Sequence, residues 1–444
     1  MFPFHSPIER ILVASRGVWF YLSKLSWPSN LTFIYPRWNV SPANLLDYIW
    51  LLAGLGACVA IYFLRRHFGR SVEVAAAFFV ATLSPVLGFI MLFTFRYTFV
   101  ADHYQYVACI GPVALASAAI VGLTDTFNQY RTMIVSVAIV AVASLGVLTW
   151  RQARMYSDIE TLWRTTLARN PGCWMADTNL GLVLFQKGQI DDAIAHYRSA
   201  LQMQPEWWDA EYNLGTALLA KGQAYEAIVH CQRAVAMRPT DPDAQVSLGD
   251  ALLAEKRIDE AISHYQQALA MRPDYFLAHY GLVRALLDKG ELDGAIQNCR
   301  AALLTRPGDP DCHTVLAICL KEKGETAEAI QQYEQALKLY PKSVSALTNL
   351  AWILATCPDG SLRDGSRAVE IARRANQLLG GTNTFVLRAL AAAYAESRQF
   401  EKATKTAQDA IQLARMHRDD SSVAELEQDI ALYRLGIPYR ELGK

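Results

Sequence analysis

The 444 residues include 42 Lys+Arg and 42 Asp+Glu, so the formal net charge is zero. That balance excludes a polyelectrolyte, whether a basic nucleic-acid coat or an acidic solvating tail. With 52% hydrophobic and 19% charged residues, a disordered chain is excluded too. The charges are unevenly spread: residues 1–150 hold 9 of the basic and 5 of the acidic residues, leaving 33 and 37 for residues 151–444. A membrane-like composition precedes a soluble-like one. The expectation is an all-α chain of about four transmembrane helices followed by an α-solenoid.

Residues 1–43 place Ile8, Ile11, Leu12, Val18, Trp19, Leu22 and Leu25 at helical spacing, with Arg10, Arg16 and Lys24 between them. That pattern predicts an amphipathic helix in the membrane interface. No basic n-region opens it, so a signal peptide is not expected. Over residues 44–151, four apolar stretches follow, 45–64, 74–95, 106–124 and 132–150. Each is close to the roughly 20 residues a spanning helix needs, and Pro85 interrupts the second. Arg65, Arg66, His67 and Arg70 mark the first loop as cytoplasmic. An even number of spans then puts residues 151–444 on the exoplasmic side, periplasmic or lumenal, in an inner membrane if the source is bacterial.

Residues 152–173 connect the two parts, and Asp158–Arg169 reads as a lone helix. From Pro171 the sequence turns periodic. Pro171, Pro205, Pro239, Pro273, Pro307 and Pro341 are spaced by 34, as are Ala193, Ala227, Ala261, Ala295 and Ala329. Leu180, Leu214, Leu248, Leu282, Leu316 and Leu350 keep the same period. Period and residue types match the tetratricopeptide repeat, in which small residues let helices A and B approach and proline ends helix B. Seven units are expected over residues 174–416, the sixth lengthened by an insertion over Cys357–Ser366. Within residues 417–444, Asp419–Leu435 reads as an amphipathic capping helix with Asp420, Ser421 or Ser422 as its N-cap.

Eight cysteines show no C-x-x-C and no zinc-site spacing; Cys231 and Cys299 stand where the repeat carries a packing Tyr. They read as structural thiols. His196, His230 and His264 also recur at 34, too far apart to share a metal, and repeat periodicity accounts for them. No metal site and no nucleic-acid patch is expected, and no phosphate-binding or hydrolase motif occurs.

One A-helix column reads Asn179, Asn213, Ser247, Gly281, Val315 and Asn349. Amides along a groove can pair with the N–H and C=O of an extended peptide whatever its sequence. Asn179, Asn213 and Asn349 are therefore candidate polypeptide-binding residues, or simply common A-helix residues. The pattern resembles the asparagine ladder in the repeats of soluble O-GlcNAc transferases. A second polar cluster, Arg96 with Asp102, His103 and Tyr104, stands beside an expected span. It either holds a lipid phosphate or sugar hydroxyl, or forms an interfacial belt.

Three further stretches carry a resemblance: Leu25–Trp38 (LSWPSNLTFIYPRW), Ala101–Gly111 (ADHYQYVACIG) and Trp150–Leu162 (WRQARMYSDIETL). With spans preceding the repeats, the chain resembles the C-terminal half of transmembrane-and-tetratricopeptide proteins related to protein O-mannosyltransferases. Those are C-type glycosyltransferases that use sugars linked to a polyprenyl phosphate. The resemblance implies such a donor near Arg96, Asp102, His103 and Tyr104, membrane lipid around the spans, and acceptor polypeptides in the groove. The family has about twice as many spans, and its catalytic acidic loop has no counterpart here; His103 stands where Arg is expected. A truncated or split member is implied, with no catalytic residue assigned. The alternative is a non-catalytic, membrane-tethered scaffold.

Overall fold

A computed structural model describes residues 6–28, 31–36, 38–68, 70–84 and 107–441. The chain forms two compact units, residues 1–221 and 222–444.

The first unit opens with α1, Pro7–Ser26. A capping box starts it: the Glu9 N–H donates to Ser6 Oγ at 3.3 Å and the Ser6 N–H to Glu9 Oε2 at 2.7 Å. Its buried residues are Leu12, Val13, Ala14, Gly17 and Tyr21. Ile8 and Ile11, part of the stripe read from the sequence, are exposed. Tyr21 and Ala14 instead join Tyr35, Phe79, Leu83 and Ala108 in a small core.

Next come α2, Ile49–Phe68, extended at its start by a 3-10 turn over Leu45–Tyr48, then α3, Ser71–Leu83, α4, Ile110–Thr126, and α5, Arg131–Ala153. Among the described residues, two stretches are long and apolar enough to cross a membrane: Leu45–Phe63 and Asn128–Tyr156, with mean hydropathies of 1.8 and 2.3. This corrects the expectation of about four. At 13 and 17 residues, α3 and α4 fall short of the roughly 20 that a 30 Å hydrocarbon core demands. Residues 85–106, which hold the rest of the expected second span, lie outside the described residues. The expected first loop is compressed, because Arg65 and Arg66 belong to the last turn of α2.

Beyond α5, residues 31–36 lie against the entry to the repeats. Gln152 Nε2 donates to Leu31 O at 3.0 Å and Asn170 Nδ2 to Ile34 O at 3.3 Å. Phe33 meets Trp163 edge-on at 5.6 Å. The lone helix is α6, Ile159–Arg169, capped by Asp158. Then come α7, Trp174–Gln186, α8, Ile190–Met203, and α9, Trp208–Ala220.

The second unit is built from helices: α10, Ala224–Met237, α11, Pro242–Ala254, α12, Ile258–Met271, α13, Phe276–Lys289, α14, Leu292–Thr305, and α15, Pro310–Lys323. These are followed by α16, Thr326–Leu339, α17, Val344–Thr356, α18, Gly365–Leu379, α19, Thr384–Glu396, α20, Phe400–Met416, and α21, Asp420–Arg434.

The periodic prolines act through their neighbours. Gln204, Arg238, Arg272, Arg306 and Tyr340 precede prolines and end their helices at φ −132° to −137° and ψ 77° to 92°. Proline Cδ excludes the α region for the residue before it, so each B helix stops at the same register. A second column sets the A-to-B turn. Gly188, Gly222, Gly290 and Gly324 adopt φ between 77° and 90°, and Lys256 takes the same place at φ 61°.

Inside each repeat the Leu column is 0–3% exposed in Leu180, Leu214, Leu248, Leu282 and Leu316. Each such burial is worth about 1.5–3 kcal/mol. Tyr197, Tyr265 and Tyr333 fill alternate repeats, each at most 1% exposed, and Cys231 and Cys299 stand in the repeats between. Close approach explains the glycines opposite: a Cβ on Gly181 would lie 2.6 Å from the Tyr197 ring, and one on Gly249 2.7 Å from that of Tyr265. Where the ring is replaced by Cys299, the A-helix residue in the glycine register is Val283, itself fully buried. The cysteines are free thiols, six of them buried. Cys299 is held protonated by its neighbours Cys312 and Cys319 and by burial.

The insertion in the sixth repeat is a closed loop. Arg363 Nη1 donates to Cys357 O at 2.7 Å and Pro358 O at 3.0 Å, and its Nε meets Glu396 Oε1 at 3.1 Å. The capping helix has its N-cap one residue before the expected candidates. Asp419 is its N-cap, accepting from the Ser422 N–H at 3.1 Å.

Candidate functional site

The asparagine column is divided between the units. Asn179 and Asn213 are half-buried on α7 and α9 of the first; Asn349 is half-buried on α17 of the second. Two of the amides are turned on their own helix: Asn179 Nδ2 donates to Met175 O at 2.8 Å, and Asn349 Nδ2 to Ser345 O at 3.0 Å. Each thereby uses one of its two N–H groups. At Gly281 the column is broken by packing, since a Cβ there would lie 2.4 Å from Tyr265 Cε1. Arg96, Asp102, His103 and Tyr104 lie outside the described residues.

Two of the recurring histidines pair with the A helix of their own repeat. His196 Nδ1 lies 2.7 Å from Asp177 Oδ1, and His264 Nδ1 lies 2.7 Å from Gln245 Oε1. Burial pushes the His264 imidazole down. Two later repeats invert the pair, His279 with Asn298 at 2.9 Å and His313 with Gln332 at 2.7 Å. In that column the A-helix residue also reaches back to the preceding proline: His279 Nε2 to Pro273 O at 2.9 Å, His313 Nε2 to Pro307 O at 3.0 Å, and Gln245 Nε2 to Pro239 O at 3.2 Å. The pairs join the A and B helices of one repeat, and the bonds to proline tie the A helix to the turn before it. Among the described residues no group of three His, Cys, Asp or Glu side chains is set to hold a metal.

The most developed site lies at the end of the second unit, and sequence reasoning missed it. After α21 the chain reverses through a Schellman turn: the Gly436 N–H, at φ 71°, donates to Tyr433 O and the Ile437 N–H to Leu432 O, both at 3.0 Å. Residues 437–441 then run as non-helical chain across the A helices. The Tyr439 ring lies 5.7 Å from Trp352 on α17, with the Arg388 guanidinium of α19 5.1 Å from Trp352 and 5.7 Å from Tyr439. Arg440 pairs with Glu396 of α19 at 2.5 Å and donates to Ala355 O at 3.2 Å. The Glu441 N–H donates to Thr356 O at 3.0 Å, and its carboxylate receives Lys321 Nζ of α15 at 2.8 Å. Backbone, aromatic, cationic and anionic contacts are thus all made within three residues of tail.

Arg388 also anchors the capping helix. Its Nε meets Asp429 Oδ2 at 2.8 Å, with side-chain exposures of 15% and 1%. Burial pushes the Asp429 carboxyl up and Arg388 pulls it back. Glu441 helps to line a cavity of about 610 Å³, together with Lys321, Glu325, Ile353, Cys357 and Asp359 among others. The inserted loop that the sequence marks as unusual forms one of its walls.

Sequence profiles described as tetratricopeptide repeat match residues 151–206, 178–242, 252–319 and 310–343. Residues 151–242 and 252–343 are therefore tetratricopeptide repeats. No curated protein matches the chain. Among solved structures, the chain is similar to MamA, at 25% identity over 38% of this chain and 92% of that one, with a TM-score of 0.34. A thermophilic tetratricopeptide protein of Thermus thermophilus is 25% identical over 40% of this chain and 97% of its own, with a TM-score of 0.36. YrrB, described as a tetratricopeptide protein with an unusual peptide-binding site, is 20% identical over 42% and 96%, with a TM-score of 0.35.

Proposed function

We propose that this chain is a membrane-anchored tetratricopeptide-repeat protein that holds extended polypeptide partners along its A-helix faces. The observation that carries the reading is the seating of residues 437–441 on α19, α17 and α15 through both side chains and backbone. Repeat solenoids offer such extended surfaces to partners. In the first unit the candidate groove residues are Asn179 and Asn213. Each lost amide bond costs about 0.5–1.5 kcal/mol, so Asn179→Ala/Asn213→Ala should weaken capture of polypeptides by about one to two powers of ten. The measurement is titrated capture on the full chain in detergent. An identical captured set and midpoint for wild type and variant would sink the role of this column.

Anchoring is supported by Leu45–Phe63 and Asn128–Tyr156. Arg65, Arg66 and Arg70 support an exoplasmic placement of residues 151–444. Alkaline phosphatase and a fluorescent protein, fused separately after Lys444, test this; activity of the fluorescent fusion alone reverses the orientation.

The motifs Leu25–Trp38, Ala101–Gly111 and Trp150–Leu162 support a finer reading. In it the chain is a truncated or split member of a protein O-glycosyltransferase family dependent on lipid-linked sugar. Arg96, Asp102, His103 and Tyr104 border the polyprenyl-phosphate sugar, and the repeats recruit the acceptor. Asp102→Asn and Arg96→Gln should then lower retention of a polyprenyl-phosphate sugar at normal expression. Unchanged retention by both returns the cluster to an interfacial belt and leaves a non-catalytic scaffold.

A further inference from the structure

Resting on the polypeptide-binding reading, we infer that residues 437–441 are a displaceable internal ligand: the chain closes its own peptide site in cis. The partner that opens it is an extended polypeptide presenting an aromatic, then a basic, then an acidic side chain.

Three observations carry this. First, the tail makes contacts of the kind a ligand makes. Its one aromatic, one cation and one anion each meet a complementary partner: Tyr439 meets Trp352 of α17 and Arg388 of α19, Arg440 meets Glu396 of α19, and Glu441 meets Lys321 of α15. Second, its attachment is local and cheap to undo. The Schellman turn ends α21 by itself, and residues 438–441 remain half-exposed, so release removes contacts without unravelling a helix. Third, a cavity adjoins the seated tail at Glu441. Its volume is about 610 Å³, and Glu441, the inserted loop and the α15–α16 turn line it.

Glu396 is set for such an exchange. Its carboxylate is shared between Arg363, which closes the inserted loop, and Arg440 of the tail. The carboxylate stays paired with Arg363 when Arg440 departs, so tail release does not strand a buried charge. A tail tethered by a short segment competes at an effective concentration of about millimolar, so only a partner with similar or better contacts displaces it at ordinary concentration.

The test uses the full chain in detergent and a labelled synthetic peptide of residues 434–444, followed by fluorescence anisotropy. Tyr439→Ala/Arg440→Ala and, separately, Glu441→Lys release the tail; circular dichroism reports that each variant is folded. Both released chains should bind the peptide about tenfold or more tighter than wild type, given that cis competition. Lys321→Glu in a released chain should abolish the gain, and a peptide carrying Glu441→Lys should restore it. Equal binding by wild type and both released chains overturns the inference. So does absence of binding by all of them; if capture through Asn179 and Asn213 persists, the tail assignment alone has failed, and if capture is lost as well, the polypeptide-binding reading falls with it.

Discussion

Gly281 and Tyr265 are pressed together across two repeats: a Cβ on Gly281 would lie 2.4 Å from Tyr265 Cε1 and 2.6 Å from Cζ. The ring is fixed from its other end, because Tyr265 Oη donates to Asp250 Oδ1 at 2.8 Å. The gap in the asparagine column at this point is thus a packing requirement and not a lapse of register.

Gly281→Ala is expected to destabilise by about 1–3 kcal/mol, the usual cost of overpacking. Gly308→Ala is its control, since a Cβ there meets nothing within 4 Å. Thermal unfolding followed by circular dichroism should separate the two by several degrees. Superimposable melts would show that the Tyr265 ring moves freely.

Lys256→Gly should stabilise. Lys256 sits at φ 61°, in a column where Gly188, Gly222, Gly290 and Gly324 share the left-handed conformation. That conformation costs a side-chain-bearing residue about 1–2 kcal/mol. The exposed Lys256–Asp288 pair at 2.9 Å offsets part of the gain, by about 0–1 kcal/mol. Denaturant midpoints decide it, and a lower midpoint for the glycine variant counts against the strain.

Arg388→Met should cost about 3–5 kcal/mol, because it leaves the Asp429 carboxylate buried without its cation. Arg388→Met/Asp429→Leu should recover most of that loss, since an apolar pair of similar volume needs no desolvation compensation. A double-mutant cycle in urea measures the coupling. Additive losses would mean that the pair is not coupled.

Asp419 supplies a pH dependence. Hydrogen bonds from the Ser422 and Ser421 side chains and the Ser422 N–H hold its carboxyl down from 3.8 to about 2. The folded-state pKa is depressed, so the carboxylate's stabilisation is complete above about pH 4 and is lost as pH falls through about 2. The difference between wild type and Asp419→Asn should therefore vanish over that acid interval. Asparagine still caps α21 but carries no charge. Melting temperatures taken at steps from about pH 5 to pH 2 at low salt check it; a constant difference contradicts the assignment.

The helix pairs were legible because Pro205 or Pro239 acts on the residue just before it, and Ala193 or Leu180 acts within one turn. Local rules at a fixed period survive folding unchanged. What depended on sequence-distant partners was not. The polar pairing of His196 with Asp177 spans 19 residues, and that of Arg440 with Glu396 spans 44. Residues 437–441 have neither helical nor alternating periodicity, so nothing in their own pattern marks them as seated. The N-cap slipped by one residue because Asp419 bonds both Ser421 and Ser422, and all four residues Asp419–Ser422 are good caps. The membrane part was over-read: α3 and α4 are apolar enough but stop at 13 and 17 residues.

Tyr197, Tyr265 and Tyr333 are spaced by 68, as are Cys231 and Cys299. The bulky and slim columns alternate, so the sequence repeats every 34 residues while its core volume repeats every 68. The true module is a doublet. Excising or duplicating 68 residues would preserve the order of ring and thiol along the array, whereas a change of 34 would set two like layers side by side. An engineer shortening this protein, or a genome lengthening it, has a step size of two repeats.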